Sequence, residues 1–96
     1  MNHKEHLSTR RKVYSELSDE DLILSVQEGN NQAFDILVDR YKNRLYAYLL
    51  RLLGNDSEAE EYVQETFVKA YINADKYRTV ARFSTWLYTI ATNLVR

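Results

Sequence analysis

Hydrophobic residues recur at helical spacing in four stretches of the chain, and helix-stopping residues separate the first three. Ser18 is placed to cap the first stretch, which stops near Gly29. Asn30 or Asn31 is placed to cap the second, which holds the 3.6-residue period until Gly54. This second stretch predicts the longest helix, of about 22 residues or about 33 Å.

Two further stretches complete the predicted domain. Asp56 or Ser57 opens the third, and the fourth follows a basic loop at residues 76–82. No stretch alternates polar and apolar residues as a strand would, so the pattern predicts an all-α compact bundle of four helices over residues 18–96. Residues 1–17 lack sustained apolar periodicity, which predicts a flexible basic tail. The predicted core positions are Leu22, Ile23, Val26, Phe34, Leu37, Val38, Tyr41, Leu45, Tyr48, Leu49, Leu52, Ala59, Val63, Thr66, Phe67, Ala70, Tyr71, Ala74, Phe83, Leu87, Ile90, Ala91 and Leu94.

Composition narrows the class of protein. The chain has 96 residues and no cysteine, so we expect one domain without disulfides. No apolar run reaches membrane-spanning length and the N-terminus lacks a signal-peptide core, which predicts a soluble cytoplasmic protein. The two histidines, His3 and His6, fall in the tail, and no nucleophile lies beside a base. We therefore expect no catalysis, no metal site and no cofactor.

The outer side of the fourth helix is unusual for a surface that meets only water. Its members are Thr85, Tyr88, Thr89, Thr92, Asn93 and Arg96. Threonine, tyrosine and asparagine are poorer helix formers than the residues common on solvated faces. Their hydroxyl and amide groups donate and accept hydrogen bonds, which suits nucleic-acid bases. The alternative is an exposed face that is merely rich in threonine.

Charge divides the C-terminal half of the chain into two regions. Residues 76–96 hold four bases and no acid, which suits phosphates, whereas residues 54–75 hold six acids and one lysine. On the third helix, acidic and apolar side chains lie together opposite the core: Glu61, Glu65, Val68 and Ile72, with Gln64 on the flank. Exposed apolar side chains beside carboxylates favour a protein-binding face. The alternative is an ordinary solvated acidic surface.

Two sequence motifs resemble a known family. Residues 83–93 (FSTWLYTIATN) resemble the promoter-reading helix of bacterial RNA polymerase sigma factors of the extracytoplasmic-function group. Residues 59–71 (AEEYVQETFVKAY) resemble the polymerase-binding helix of the same family. The resemblance covers residues 19–96 and departs at residues 78–82, where relatives often carry a glycine and an acidic residue.

This resemblance implies a transcription initiation factor domain, region 2, that binds core RNA polymerase and recognises and melts the promoter −10 element. Polymerase contact, on the clamp coiled coil of the largest subunit, is carried over to Glu61, Gln64, Glu65 and Val68. Contact with the non-template strand is carried over to Lys76, Tyr77, Arg78, Arg82, Phe83, Ser84, Thr85, Tyr88, Thr89 and Asn93. The cations would hold phosphates, the aromatic rings would stack on bases, and Thr85, Thr89 and Asn93 would read bases.

The family resemblance also implies several properties outside these two surfaces. Family members continue the last helix and carry a second, helix-turn-helix domain (region 4), so we expect the chain to be an excised N-terminal domain, monomeric in isolation. Many are held inactive by an anti-sigma factor, which is a possible partner.

The rival hypotheses are a helical protein–protein adaptor without nucleic-acid binding and a duplex-reading helix-turn-helix. The second is disfavoured because no two short helices flank a tight turn.

Overall fold

The computed structural model describes residues 12–96, and these residues form a bundle of helices. The four main helices are α1 (Asp19–Gln27), α2 (Gln32–Leu53), α3 (Asp56–Ile72) and α4 (Phe83–Val95), with a single 3-10 turn at Ala74–Lys76. No strand occurs among the described residues. The predicted all-α architecture of four helices is therefore confirmed.

Local capping chemistry explains where these helices begin and end. The Ser18 side chain accepts a hydrogen bond from the Asp21 backbone N–H at 3.0 Å, which caps α1. Gly54 adopts a left-handed conformation with φ of 67° and ends α2 after 22 residues. Asn55 then caps α3 by accepting from the Glu58 backbone N–H at 2.9 Å. As predicted, α3 begins at Asp56, although its cap is one residue earlier.

The core lies where α2 packs between α1 and α3, with α4 closing it against α3. The fully or nearly buried apolar residues are Leu22, Ile23, Val26, Ala33, Phe34, Ile36, Leu37, Tyr41, Leu45, Leu49, Ala59, Phe67, Ala70, Ala74, Tyr77, Phe83, Leu87 and Ala91. Two predicted core positions are wrong, because Leu52 in the last turn of α2 is 53% exposed and Tyr71 in α3 is 44% exposed. The predicted positions Val38, Tyr48, Val63, Ile90 and Leu94 are only half-buried.

The segment before α1 is folded against the domain from residue 12 onward. Residues 12–15 form a helical turn, and Tyr14 and Leu17 pack against the core. Arg40 of α2 donates hydrogen bonds to the carbonyl oxygens of Ser15 and Leu17 at 2.8 and 2.7 Å. The same guanidinium pairs with Asp19 at 2.8 Å. This part of the predicted tail is thus attached to α2, whereas residues 1–11, with both histidines, lie outside the described residues.

An aromatic cluster connects α2, the loop after α3 and the start of α4. The Phe83 ring lies 5.7 Å from Tyr41, 6.2 Å from Tyr77 and 5.9 Å from Trp86. The Tyr77 and Trp86 rings meet in a T-shaped pair at 5.5 Å. Because these rings come from three segments, they fix the position at which α4 begins.

None of the helices within residues 12–96 has the length and apolar character that crossing a membrane requires.

Candidate functional site

The outer side of α4 forms a shallow groove, which we call the hydroxyl face. It has a volume of about 530 Å³ and is lined by Ser84, Thr85, Tyr88, Thr89, Thr92, Asn93 and Arg96. Helix α4 buries Phe83, Leu87 and Ala91 on its other side, so helical periodicity alone directs the polar residues outward. Five of the predicted strand-contacting residues therefore come together in one groove, and Thr92 and Arg96 join them.

The polar groups of the hydroxyl face differ in how many hydrogen bonds they can still make. The Thr89 hydroxyl donates to the Thr85 carbonyl at 2.8 Å, so its oxygen remains able to accept. Asn93 is exposed, and no group among residues 12–96 hydrogen-bonds its side-chain amide. Its amide thus offers both donors and an acceptor to a ligand. A base edge that presents a donor beside an acceptor fits such an amide.

Helix α2 supports two residues of the hydroxyl face from the side. The Tyr48 hydroxyl shares a hydrogen bond of 2.8 Å with Thr92 Oγ1, and its ring meets Tyr88 in a T-shaped pair at 5.0 Å. Burial raises the pKa of the Tyr88 phenol. Tyr88 is half-buried. The sequence pattern assigned Tyr48 to the core, and only the tertiary packing shows that it supports the groove.

The basic loop, residues 76–82, places three exposed cations near the start of α4: Lys76, Arg78 and Arg82. Arg78 Nη1 donates to the carbonyl oxygens of Asp75 and Tyr77 at 2.7 and 3.0 Å. These bonds fix the guanidinium against the loop while its remaining N–H groups stay available. The loop can therefore hold an anion with a preset geometry.

Two polar side chains of α1 anchor the basic loop. Gln27 Nε2 donates to the carbonyl oxygens of Ala74 and Tyr77 at 2.9 and 3.1 Å. Glu20 Oε2 accepts from the Phe83 backbone N–H at 2.8 Å. A carboxylate thus already occupies the positive end of α4, so a phosphate must be held by the loop cations instead. The sequence pattern missed both anchors, because neither residue interrupts the helical period of α1.

Two predicted strand-contacting residues are corrected by the structure. Tyr77 and Phe83 are buried in the aromatic cluster, so their rings cannot stack on a base. The Tyr77 hydroxyl donates to the Ala81 carbonyl across the loop. Burial raises the pKa of this phenol, and the charges of Glu20 and Asp19 add to the rise. Both residues therefore shape the loop from below rather than contact a ligand.

The outer side of α3 forms a second groove, which we call the acidic groove. It has a volume of about 670 Å³ and is lined by Glu61, Gln64, Glu65, Val68, Lys69, Ile72, Asn73 and Leu94. Val68 is 58% exposed and Ile72 is 72% exposed. Neither Glu61 nor Glu65 has an ion-pair partner within residues 12–96. All four predicted polymerase-contacting residues lie in this groove, where apolar and anionic groups are available together.

Comparison with known proteins gives one family for this chain. The sequence matches the family model described as Sigma-70 region 2 over residues 37–96, a range that contains both grooves. It is 49% identical over 72 residues to the ECF RNA polymerase sigma factor SigW of Bacillus subtilis, covering 75% of this chain and 38% of that protein. It is 38% identical over 81 residues to the ECF RNA polymerase sigma-E factor of Haemophilus influenzae, covering 84% of this chain and 42% of that protein. The chain thus spans less than half the length of these relatives.

A solved structure resembles most of the fold. It is an engineered region 2 of sigmaE, determined by NMR in complex with GTAAAA. The similarity has a TM-score of 0.74 and 39% sequence identity, and it covers 80% of each chain. At this identity the likeness extends beyond the arrangement of the helices to the sequence that forms them.

Proposed function

Because the chain belongs to the Sigma-70 region 2 family, we propose that it is the promoter-melting domain of an extracytoplasmic-function sigma factor. It binds the non-template strand of the −10 element at the hydroxyl face and core RNA polymerase at the acidic groove. The observation that carries this proposal is a groove of hydroxyl and amide groups on α4 beside the exposed cations of the basic loop. It acts in the cytoplasm by binding rather than by catalysis.

Base reading depends chiefly on Asn93 in this proposal. An asparagine amide can bond the adjacent donor and acceptor of adenine at two points. The hexanucleotide bound by the engineered sigmaE region 2 is GTAAAA, which contains four adenines. Thr89 adds an acceptor one helical turn away, since its proton is already given to Thr85. These two residues therefore favour a strand that presents adenine at their position over one that presents another base there.

Phosphate binding by Arg78 and Arg82 sets the position of the strand without reading its sequence. Base contacts, in contrast, are available only when a single strand lies along α4 with its bases turned toward the hydroxyl face. A duplex hides those base edges, so the domain binds the opened state more tightly and shifts the equilibrium toward it. Strand opening then follows from capture of the separated strand.

Polymerase binding uses the acidic groove. Glu61 and Glu65 present carboxylates that can pair with arginines of the partner, where two-point geometry adds energy and register. Val68 supplies exposed apolar area beside them. An interface of this kind needs both the charges for orientation and the apolar centre for affinity.

Strand affinity tests the first half of the proposal. The chain should bind single-stranded GTAAAA more tightly than a scrambled strand or the duplex. Asn93→Ala and Thr89→Ala should reduce this preference with little change in the dependence on salt. Asn43→Ala, an exposed asparagine of α2 away from the groove, is the matched control. If Asn93→Ala kept the full preference, Asn93 would not be the reader.

Core binding tests the second half. The double charge reversal Glu61→Lys and Glu65→Lys should abolish co-purification with core RNA polymerase while the circular dichroism spectrum stays unchanged. Glu58→Lys with Glu60→Lys makes the same change of charge on the same helix, at exposed residues outside the groove. Retained core affinity in the first, folded variant would overturn this assignment. Equal loss in both would show that net charge alone matters.

A further inference from the structure

Helix α2 carries basic residues that neither groove includes, and two of them already have carboxylate partners. Arg40 pairs with Asp19 at 2.8 Å and also binds backbone carbonyls before α1. Lys42 pairs with Asp39 at 3.5 Å on the solvent side of the helix. These two cations are therefore occupied in holding the domain together or lie away from the hydroxyl face.

Arg44 differs from both of these residues. It is exposed, and no carboxylate within residues 12–96 forms an ion pair with it. Its guanidinium carbon lies 5.3 Å from the centre of the Tyr41 ring, which holds the head group in place. Its charge also reaches Tyr88, where it opposes the rise in phenol pKa that burial causes. Arg44 thus presents a positioned cation on α2, outside the hydroxyl face but close enough for its charge to act on Tyr88.

Basic residues flank α4 at its two ends, and Arg44 could supply a positive charge for the stretch between them. Arg82 precedes the first residue of α4 and Arg96 follows the last, a separation of about 21 Å along the helix axis. Between them α4 has no basic residue. A strand lying along the groove would have no cation for its middle phosphates from α4 itself. On α2, Arg44 lies between Tyr41, whose ring meets Phe83 at the start of α4, and Tyr48, which contacts Tyr88 and Thr92 farther along it. Arg44 is therefore placed along the middle of that span.

We propose that Arg44 is a phosphate-binding residue of the hydroxyl face, which holds the middle of the bound strand from the α2 side. A guanidinium fixed on an aromatic ring can bind a phosphate at two points with little further loss of freedom. This inference rests on the proposed strand binding and adds α2 to the surface that carries it. Arg44 sets the path of the backbone and does not select bases.

Salt dependence distinguishes a phosphate contact from a structural role. For single strands, each phosphate contact contributes about 0.7 to the slope of log affinity against log salt. Arg44→Gln should flatten the slope for GTAAAA and for its scrambled form by about that amount, and weaken both about two- to fivefold at low salt. Arg44→Lys should retain most of the slope, since the charge remains. Lys42→Gln removes the same charge two residues away and should change nothing.

Three outcomes would overturn the inference. One is an unchanged slope in Arg44→Gln, including a weaker affinity with the same slope, which would mean that only packing on Tyr41 was lost. Another is an equal change in Lys42→Gln, which would reflect net charge alone. The third is absence of strand binding by the unaltered chain, which would overturn the proposed function as well. If the unaltered chain binds GTAAAA selectively and only Arg44 proves inert, the proposed function stands.

Discussion

The start of α4 depends on a carboxylate from α1, and replacing it tests how the hydroxyl face is positioned. Glu20 Oε2 accepts a hydrogen bond of 2.8 Å from the Phe83 backbone N–H. That N–H belongs to the first residue of α4 and has no partner within the helix. Arg82, at the capping position, makes no side-chain cap. Glu20→Ala should therefore leave this end of α4 without an acceptor.

The expected loss can be worked from these contacts. A hydrogen bond to a charged group contributes about 1.5–3 kcal/mol, and a carboxylate near a helix N-terminus adds about 0.3–1 kcal/mol. Because Glu20 is only half-buried, we take the low end and expect Glu20→Ala to cost about 2 kcal/mol of unfolding free energy. Glu20→Gln keeps an acceptor and should cost about 1 kcal/mol. For a domain of this size, 2 kcal/mol corresponds to about 8–16 °C in Tm.

Urea denaturation followed by circular dichroism measures these differences. Asp21→Asn is the matched control, because Asp21 lies in the same first turn of α1 but is exposed. It loses the same interaction with the α1 dipole and leaves α4 untouched. The reasoning fails if Glu20→Ala and Asp21→Asn lower the unfolding free energy equally, or if the Phe83 amide exchanges with solvent no faster in Glu20→Ala.

Three further predictions concern the scaffold. Burial and the hydrogen bond to Asp19 raise the pKa of Tyr41 to about 12, above the ordinary value of 10.0. The stability that the neutral phenol contributes should therefore be lost as pH rises from 10 to 12. The urea midpoint of Tyr41→Phe should fall less than that of the unaltered chain over this interval, and an equal fall would contradict the assignment. Phe83→Ala removes a fully buried ring and should lower the free energy of unfolding by about 3–5 kcal/mol, as measured by urea denaturation. A loss below about 1 kcal/mol would show that the aromatic cluster does not fix α4. The methyl group added by Gly54→Ala would meet no atom within 4 Å, but the backbone keeps a φ of +67°. Thermal melting should therefore show a loss of about 1–2 kcal/mol of unfolding free energy from backbone strain alone. No loss would mean that the turn relaxes.

Much of the fold could be predicted because its signals are local. Ser18 and Gly54 mark a helix start and a helix end by their own chemistry, and both act as expected in the structure. The hydroxyl face was also predictable, since a helix that buries one side must expose the other. Likewise, Glu61 and Val68 share the acidic groove because their spacing places them on one side of α3.

The errors arise where distant segments meet. Tyr77 and Phe83 flank a basic loop, and residues at such a position can belong either to a binding surface or to the core. Only the packing of the loop and α4 against α2 shows that these two rings are buried. Gln27 and Glu20 contact groups that lie about 50 and 63 residues away in the chain. The helical spacing of hydrophobic residues carries no information about such contacts. Likewise, the sequence does not distinguish Arg44 from the other basic residues of α2, and only the structure shows its guanidinium held over the Tyr41 ring.

An amide NMR titration tests the central claim most directly, because it reports where a strand binds as well as whether it binds. Adding single-stranded GTAAAA to the full chain should shift the amides of Ser84, Thr89 and Asn93 and those of the basic loop, while the amides of Glu61 and Glu65 stay in place. A scrambled strand should shift the loop amides more than that of Asn93. Shifts centred on α3, or no saturable shifts on α4, would contradict the assignment of the hydroxyl face as the strand-binding surface.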